Sequence, residues 1–117
     1  MELLAALPGA ALAVRYVWLP MLPGDTFEAA AAVATRLREP RAKHYWDGDR
    51  RLGRRLGDAL SIPPEAQGGG IAWDVYLLYG RGAKDIAAPA FWMHQLALTH
   101  APRLDAEEFR QRVVELL

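Results

Sequence analysis

The sequence predicts an α/β domain, and three observations carry that prediction. Ile71 to Gly80 is apolar at alternate positions on both faces, with Ile71, Trp73, Val75, Leu77 and Tyr79 on one and Ala72, Tyr76 and Leu78 on the other. A strand apolar on both sides is one covered on both sides, as at the centre of an α/β sheet. Two capping boxes, Asp25 with Glu28 and Asp105 with Glu108, open helices elsewhere in the chain. Strand-period and helix-period segments also alternate along the sequence, which is how an α/β domain is written.

Residues 2 to 7 read as the last turns of a helix stopped by Pro8-Gly9. Residues 11 to 19 alternate as a strand, with Leu12, Val14, Tyr16 and Trp18 on one face and Arg15 as the only charge on the other. Pro20 and Pro23-Gly24 end it. A helix is expected from Thr26 to about Arg38, burying Phe27, Ala30, Ala34 and Leu37 and stopped by Pro40. Lys43 to Gly48 reads as a polar-aromatic connector. The next helix is expected from about Asp49 to Leu60, with Leu52, Leu56, Ala59 and Leu60 inward. Gly53 and Gly57 each weaken it by about 1 kcal/mol relative to alanine, which points to a close neighbour.

Pro63 to Gly70 is a flexible loop into the strand at 71–79, and the glycines are expected to let backbone pass close over Trp73 or Trp46. Gly80-Arg81-Gly82 turns the chain, and Ala90 to Leu98 is expected to return antiparallel. The last helix has the clearest boundary, with Asp105 and Glu108 as its capping box and Leu104 and Phe109 at the staple positions. Val113 and Leu116 continue its buried face. The expected order is helix end, strand, helix, helix, strand, strand, helix, in a single domain of 117 residues.

Composition removes several function classes. Formal net charge is zero, so no global field draws the chain to nucleic acid or to a membrane surface. Cysteine is absent, which excludes a disulfide, a thiolate metal site and a cysteine nucleophile in these residues. No apolar run reaches the roughly 18 residues of a membrane span, and no basic region precedes an apolar one at the N-terminus. A cytoplasmic protein is expected.

Three stretches, Val17 to Asp25, His44-Tyr45-Trp46-Asp47 and Ala72 to Gly80, resemble a family of uncharacterised bacterial thioredoxin-like proteins. The resemblance covers about residues 3 to 98. It implies a thioredoxin-like sheet with flanking helices, and a first strand and a Cys-x-x-Cys segment upstream of the helix that ends at Pro8. Neither is present in this chain. The cis-proline such folds carry before the third strand is also missing, its place being taken by Gly70-Ile71-Ala72-Trp73. In that fold the absent strand lies between the strands at 11–19 and 71–79. The gap would close by direct pairing of those strands, by a rearranged sheet, or by a second copy. A homodimer through the exposed edges is the expectation.

Each candidate side chain also has a plain structural role open to it. Asp74, between Trp73 and Tyr76, is the one charge in its strand and a candidate acid or base, although a lone carboxylate is not a catalytic constellation. His44 and Asp47, with His94 and His100, match no metal-ligand spacing, so neither metal nor cofactor is expected. Arg50, Arg51, Arg54 and Arg55 share one helix face that could hold an anion; with no aromatic interleaving beside them, a solvated face is preferred and nucleic acid is not expected. Gly80-x-Gly82 precedes no helix, and Ser61, the only serine, lies in no nucleophile elbow. The expectation is a redox-inactive thioredoxin-like domain with a binding or structural role and no enzymatic activity of its own. The alternative is the C-terminal part of a thiol-disulfide oxidoreductase.

Overall fold

A computed structural model of the chain describes residues 2–117. It is an α/β protein with two small sheets and flanking helices, in the order α1 (Glu2–Ala6), β1 (Val14–Trp18), α2 (Phe27–Arg36), β2 (Ala42–Trp46), α3 (Arg51–Ala59), β3 (Val75–Leu78), β4 (Phe91–His94) and α4 (Ala106–Leu116). Two compact units divide within α3, the first ending at Gly53 and the second running from Arg54 to Leu117.

The first unit is a β-α-β crossover. β1 and β2 pair in parallel, with Val14 opposite Ala42, Tyr16 opposite His44 and Trp18 opposite Trp46. Lys43 to Trp46, expected as part of a connector running to Gly48, therefore belong to a strand that begins at Ala42. Ala42, His44 and Trp46 are half-buried while Lys43 and Tyr45 are exposed, an alternation hidden by the polar character of lysine and histidine. α2 is one residue shorter at its start than expected. Thr26 is its N-cap and accepts from the Ala29 N–H at 3.1 Å, whereas the Asp25 carboxylate closes the preceding turn by accepting from Met21 and Leu22. Phe27, expected inward, is 58% exposed and touches Trp46 only edge-on.

The second unit holds most of the core. β3 and β4 pair antiparallel, as expected, with Val75 opposite His94 and Leu78 opposite Phe91. Tyr76 meets Phe109 of α4 edge-on, and the Arg112 guanidinium lies 4.6 Å over the Phe91 ring, so α4 covers the face of Tyr76, Leu78, Phe91 and Met93. The opposite face carries Trp92 and His94, and His100 packs on Trp92 with centroids 5.8 Å apart. Leu56, Leu60, Ile62, Ile71, Ala72, Met93, Leu96 and Val113 are buried.

β3 is four residues rather than nine, and it is the edge of a pair rather than the centre of a wide sheet. Gly68, Gly69 and Gly70 have positive φ, and Asp74 sits at φ 51°, so the extended run cannot begin before Val75. Ile71 and Ala72 are buried without joining the ladder. The β4 segment is likewise trimmed from 90–98 to 91–94 because the chain turns back on itself through His94. α4 keeps its expected cap, Asp105 accepting from the Glu108 N–H at 3.0 Å, and Val113 is buried. Leu116, expected inward, is exposed.

α3 buries Leu56 and Leu60, but Ala59 is exposed. Its glycine has the expected close neighbour: a Cβ added at Gly57 would lie 1.9 Å from the Gly70 carbonyl oxygen. Gly57→Ala is expected to destabilise the protein by about 1–3 kcal/mol, the cost of overpacking, although the same change in an open helix stabilises by about 1 kcal/mol. Urea denaturation of the purified variant reads the sign directly, and a stabilised variant would refute the contact.

Candidate functional site

Asp47, Trp73 and the histidines each make a local contact that shapes the chain around them. The Asp47 carboxylate accepts from the Gly53 N–H at 2.9 Å and its carbonyl from the Arg50 N–H at 3.0 Å, tying the end of β2 to the start of α3. His44 lies in a ring stack on one face of β1 and β2, 4.8 Å from Tyr16 and 6.0 Å from Trp18, centroid to centroid. The Trp18 indole N–H donates to His44 Nδ1 at 3.0 Å, which puts the proton of a neutral ring on Nε2. Nε2 is buried and has no hydrogen-bond partner among the described residues. His44 and Asp47 therefore serve different neighbours. Among the described residues no three histidine or carboxylate side chains converge as metal ligands.

The other two histidines are also committed to backbone. His94, fully buried, sets Nε2 at 2.9 Å from the Ala101 carbonyl and accepts from the Leu96 N–H at Nδ1, 3.1 Å away. Its own backbone takes up Pro102 and Leu104, so one residue folds the whole 94–104 turn. His100 Nε2 lies 2.8 Å from the Leu60 carbonyl, one of the carbonyls left open where α3 ends.

Asp74 is exposed and stands outside the strand, at the left-handed position that Asp tolerates better than most residues. Its carbonyl accepts from the Gln95 N–H at 2.9 Å, which sets the register of the hairpin. The Tyr76 hydroxyl donates to Gln95 Oε1 at 2.6 Å; burial first, and the Asp74 charge second, hold that hydroxyl above the ordinary phenol value. The Trp73 indole donates to the Gln67 carbonyl at 3.0 Å, at the head of the glycine run. Trp46 instead meets Gly48, where an added Cβ would lie 2.8 Å from its indole nitrogen.

The arginine face is narrower than the sequence suggested. Arg50 precedes α3 at φ 58° and is half-buried, so it does not share the helical face of Arg51, Arg54 and Arg55, which are exposed. Arg51 stands 3.7 Å from Asp49. An open groove of about 530 Å³ runs beside α4, lined by Asp105, Glu107, Glu108, Gln111, Arg112 and Glu115, and several of its acids are paired along the helix.

Among the described residues of the first unit, Arg41 has the densest set of polar contacts. Its guanidinium donates to the Leu7 carbonyl at 2.7 Å, the Ala10 carbonyl at 3.2 Å and the Leu4 carbonyl at 3.1 Å. Nε donates to Glu39 Oε1 at 2.7 Å, and the Arg41 backbone N–H reaches the same oxygen. A planar cation with five donors suits this convergence of carbonyls and carboxylate. The partners are backbone groups far away in sequence, so no motif announces them.

No family model, curated protein or solved structure matches the chain. No helix among the described residues is long and apolar enough to cross a membrane.

The Arg41 hydrogen bonds hold the Glu39 carboxyl below its usual range. A carboxylate with a depressed folded pKa contributes stability that is present above its unfolded value near 4.3 and lost as pH falls through the folded value. Thermal midpoints measured from pH 7 down to pH 3 are expected to fall less steeply in Glu39→Gln than in wild type, because the variant has already lost this contribution at neutral pH. Parallel curves would show that the pair does not couple to folding.

Proposed function

We propose that the chain is a binding or structural module of thioredoxin-like organisation that performs no dithiol chemistry and self-associates through its strand edges in the cytoplasm. One observation carries this reading. In the first unit Leu4 alone of the described apolar side chains is buried, although β1, β2 and α2 supply many more. A unit of this size that buries so little of its own apolar surface gains stability by covering it with something else.

The strand parities support where that would happen. The Val14 N–H donates to the Arg41 carbonyl and the Asp47 N–H to the Trp18 carbonyl, so Val14, Tyr16 and Trp18 direct their backbone groups at β2. Arg15 and Val17 direct theirs to the other edge. By the same argument from the Gln95–Asp74 bond, Tyr76 and Leu78 face β4 while Val75 and Leu77 face away. β3 has no charge, proline or bulge to blunt that edge, whereas β1 has Arg15. A second copy adding a strand there would continue the hairpin into a wider sheet.

The same edges support a second reading, in which the added strand comes from the same polypeptide upstream of Met1 and brings a Cys-x-x-Cys segment with it. The chain would then be the C-terminal part of a thiol-disulfide oxidoreductase. An in-frame strand followed by that motif in the upstream coding sequence selects this reading over the first.

Light scattering coupled to size-exclusion chromatography at micromolar concentration is expected to give a dimer. Leu77→Pro removes an N–H that β4 does not use, so it is expected to stay folded and become monomeric; Val17→Pro is the matching variant for the β1 edge. A monomeric wild type, or a dimer surviving both substitutions, removes strand-edge association. Insulin reduction by the chain is expected to be absent, since the reaction needs a thiolate that these residues lack.

A further inference from the structure

β1 and β2 have a second face, opposite the Tyr16–His44–Trp18 stack. Strand alternation puts Arg15, Val17, Lys43 and Tyr45 on it. The parallel register sets Arg15 directly beside Lys43 and Val17 directly beside Tyr45. Arg15, Lys43 and Tyr45 are exposed, the tyrosine by 49%.

Two cations as direct cross-strand neighbours repel each other, and sheets ordinarily avoid the arrangement. No acid among the described side chains forms an ion pair with either. Among the described residues neither Arg15 nor Lys43 is in a salt bridge, and the contact Arg15 makes is a single one, to the Val14 carbonyl at 3.0 Å. The acids nearest either residue in sequence among those described are engaged elsewhere, Asp25 with the Met21 and Leu22 N–H groups, Glu39 with Arg41, Asp47 with the Gly53 N–H and Asp49 with Arg51. Beside this unneutralised pair, two residues further along both strands and so about 7 Å away, stands an exposed aromatic ring on a half-apolar floor.

We infer that this face binds a phosphate carried next to a planar base, the repeating unit of a single-stranded nucleic acid. Arg15 and Lys43 hold the phosphate between them, and the base stacks on Tyr45 against Val17. An open sheet that alternates cations with an exposed aromatic ring is how several unrelated folds grip single strands, because every base has a face to stack and every nucleotide a charge. The neighbouring β2 residues explain why the ring is available: His44 and Trp46 are turned to the other face. Aromatic interleaving with cations, absent beside the arginines of α3, is present on the strand that the sequence concealed as a connector. The site does not depend on strand-edge association and uses none of the backbone groups invoked for it.

The test is fluorescence anisotropy of a labelled twelve-nucleotide thymidine strand titrated with the full chain at several salt concentrations, alongside AMP and a poly-glutamate peptide of equal length. Saturable binding is expected, with a log–log salt slope that falls by about 0.7 for each of Arg15→Gln and Lys43→Gln, one phosphate contact apiece. Tyr45→Ala is expected to weaken binding about 10-fold, and Tyr45→Phe to stay within about 2-fold of wild type, because stacking needs the ring and not the hydroxyl. Circular dichroism and the thermal midpoint establish that the variants are folded. AMP binding with the same Tyr45 dependence identifies the single nucleotide as a sufficient ligand and supports the site. No binding at low salt, equal binding of poly-glutamate, or binding that survives Tyr45→Ala and is lost in Arg54→Gln/Arg55→Gln overturns it.

Discussion

The first unit depends on one guanidinium. Arg41 gathers the carbonyls of Leu4, Leu7 and Ala10, which are the open C-terminal end of α1 and the turn after it, and it does so from the residue immediately before β2. A five-residue helix does not persist on its own, since nucleation is unfavourable and few hydrogen bonds repay it. A cation at its C-terminus adds a second donor to carbonyls that each already accept one backbone N–H, and complements the negative end of the dipole. Glu39 fixes the orientation of the guanidinium by accepting from both its Nε and its backbone N–H. The start of β1 follows from the same anchor, because the Arg41 carbonyl takes the Val14 N–H. Helix end, strand start and crossover strand therefore meet at one side chain.

The second unit is held differently, by close packing and by histidines used as backbone partners. Gly57 lets α3 rest against the Gly70 carbonyl at a distance no side chain would permit, and the left-handed glycines before Ile71 deliver that carbonyl. His94 then folds the turn between β4 and α4 from inside, with both ring nitrogens engaged. Removing either partner of such a buried pair leaves the other unsatisfied, at about 1–3 kcal/mol per group. His100 adds a contact of the same kind, its Nε2 lying 2.8 Å from the Leu60 carbonyl.

What could be read from the residues divides along a physical line. The α4 cap, the antiparallel hairpin and the Gly57 contact were legible because each depends on a side chain acting within a few residues or on steric size alone. β2 was not, because its exposed alternate positions are Lys43 and Tyr45 and its inward ones include a histidine, so the hydrophobic alternation that marks a strand is muted. Asp25 and Thr26 are both good caps one residue apart, and the Pro23-Gly24 turn claims the first. The long apolar run at 71–79 looked like one strand because periodicity does not register a single left-handed residue, here Asp74. Arg41 was invisible for a deeper reason: backbone carbonyls 31 to 37 residues earlier carry no sequence signature.

These differences alter where function is to be sought. Asp47, His94 and His100 make contacts that fix local structure, whereas the pairing of Arg15 with Lys43 is surface chemistry that no fold requirement explains. One face of β1 and β2 spends its rings on each other, Tyr16 on His44 and His44 on Trp18, and gains a half-buried polar contact from the arrangement. The other face pairs like charges and exposes a tyrosine, which costs stability and returns none within the chain. A stabilising substitution there is easy to imagine, since glutamate at either Arg15 or Lys43 would turn repulsion into a cross-strand ion pair. Such a substitution costs function only where activity uses the arrangement, which is what the binding measurements on Arg15 and Lys43 variants read. The asymmetry between the two faces of a single crossover is the observation on which the proposed binding face rests.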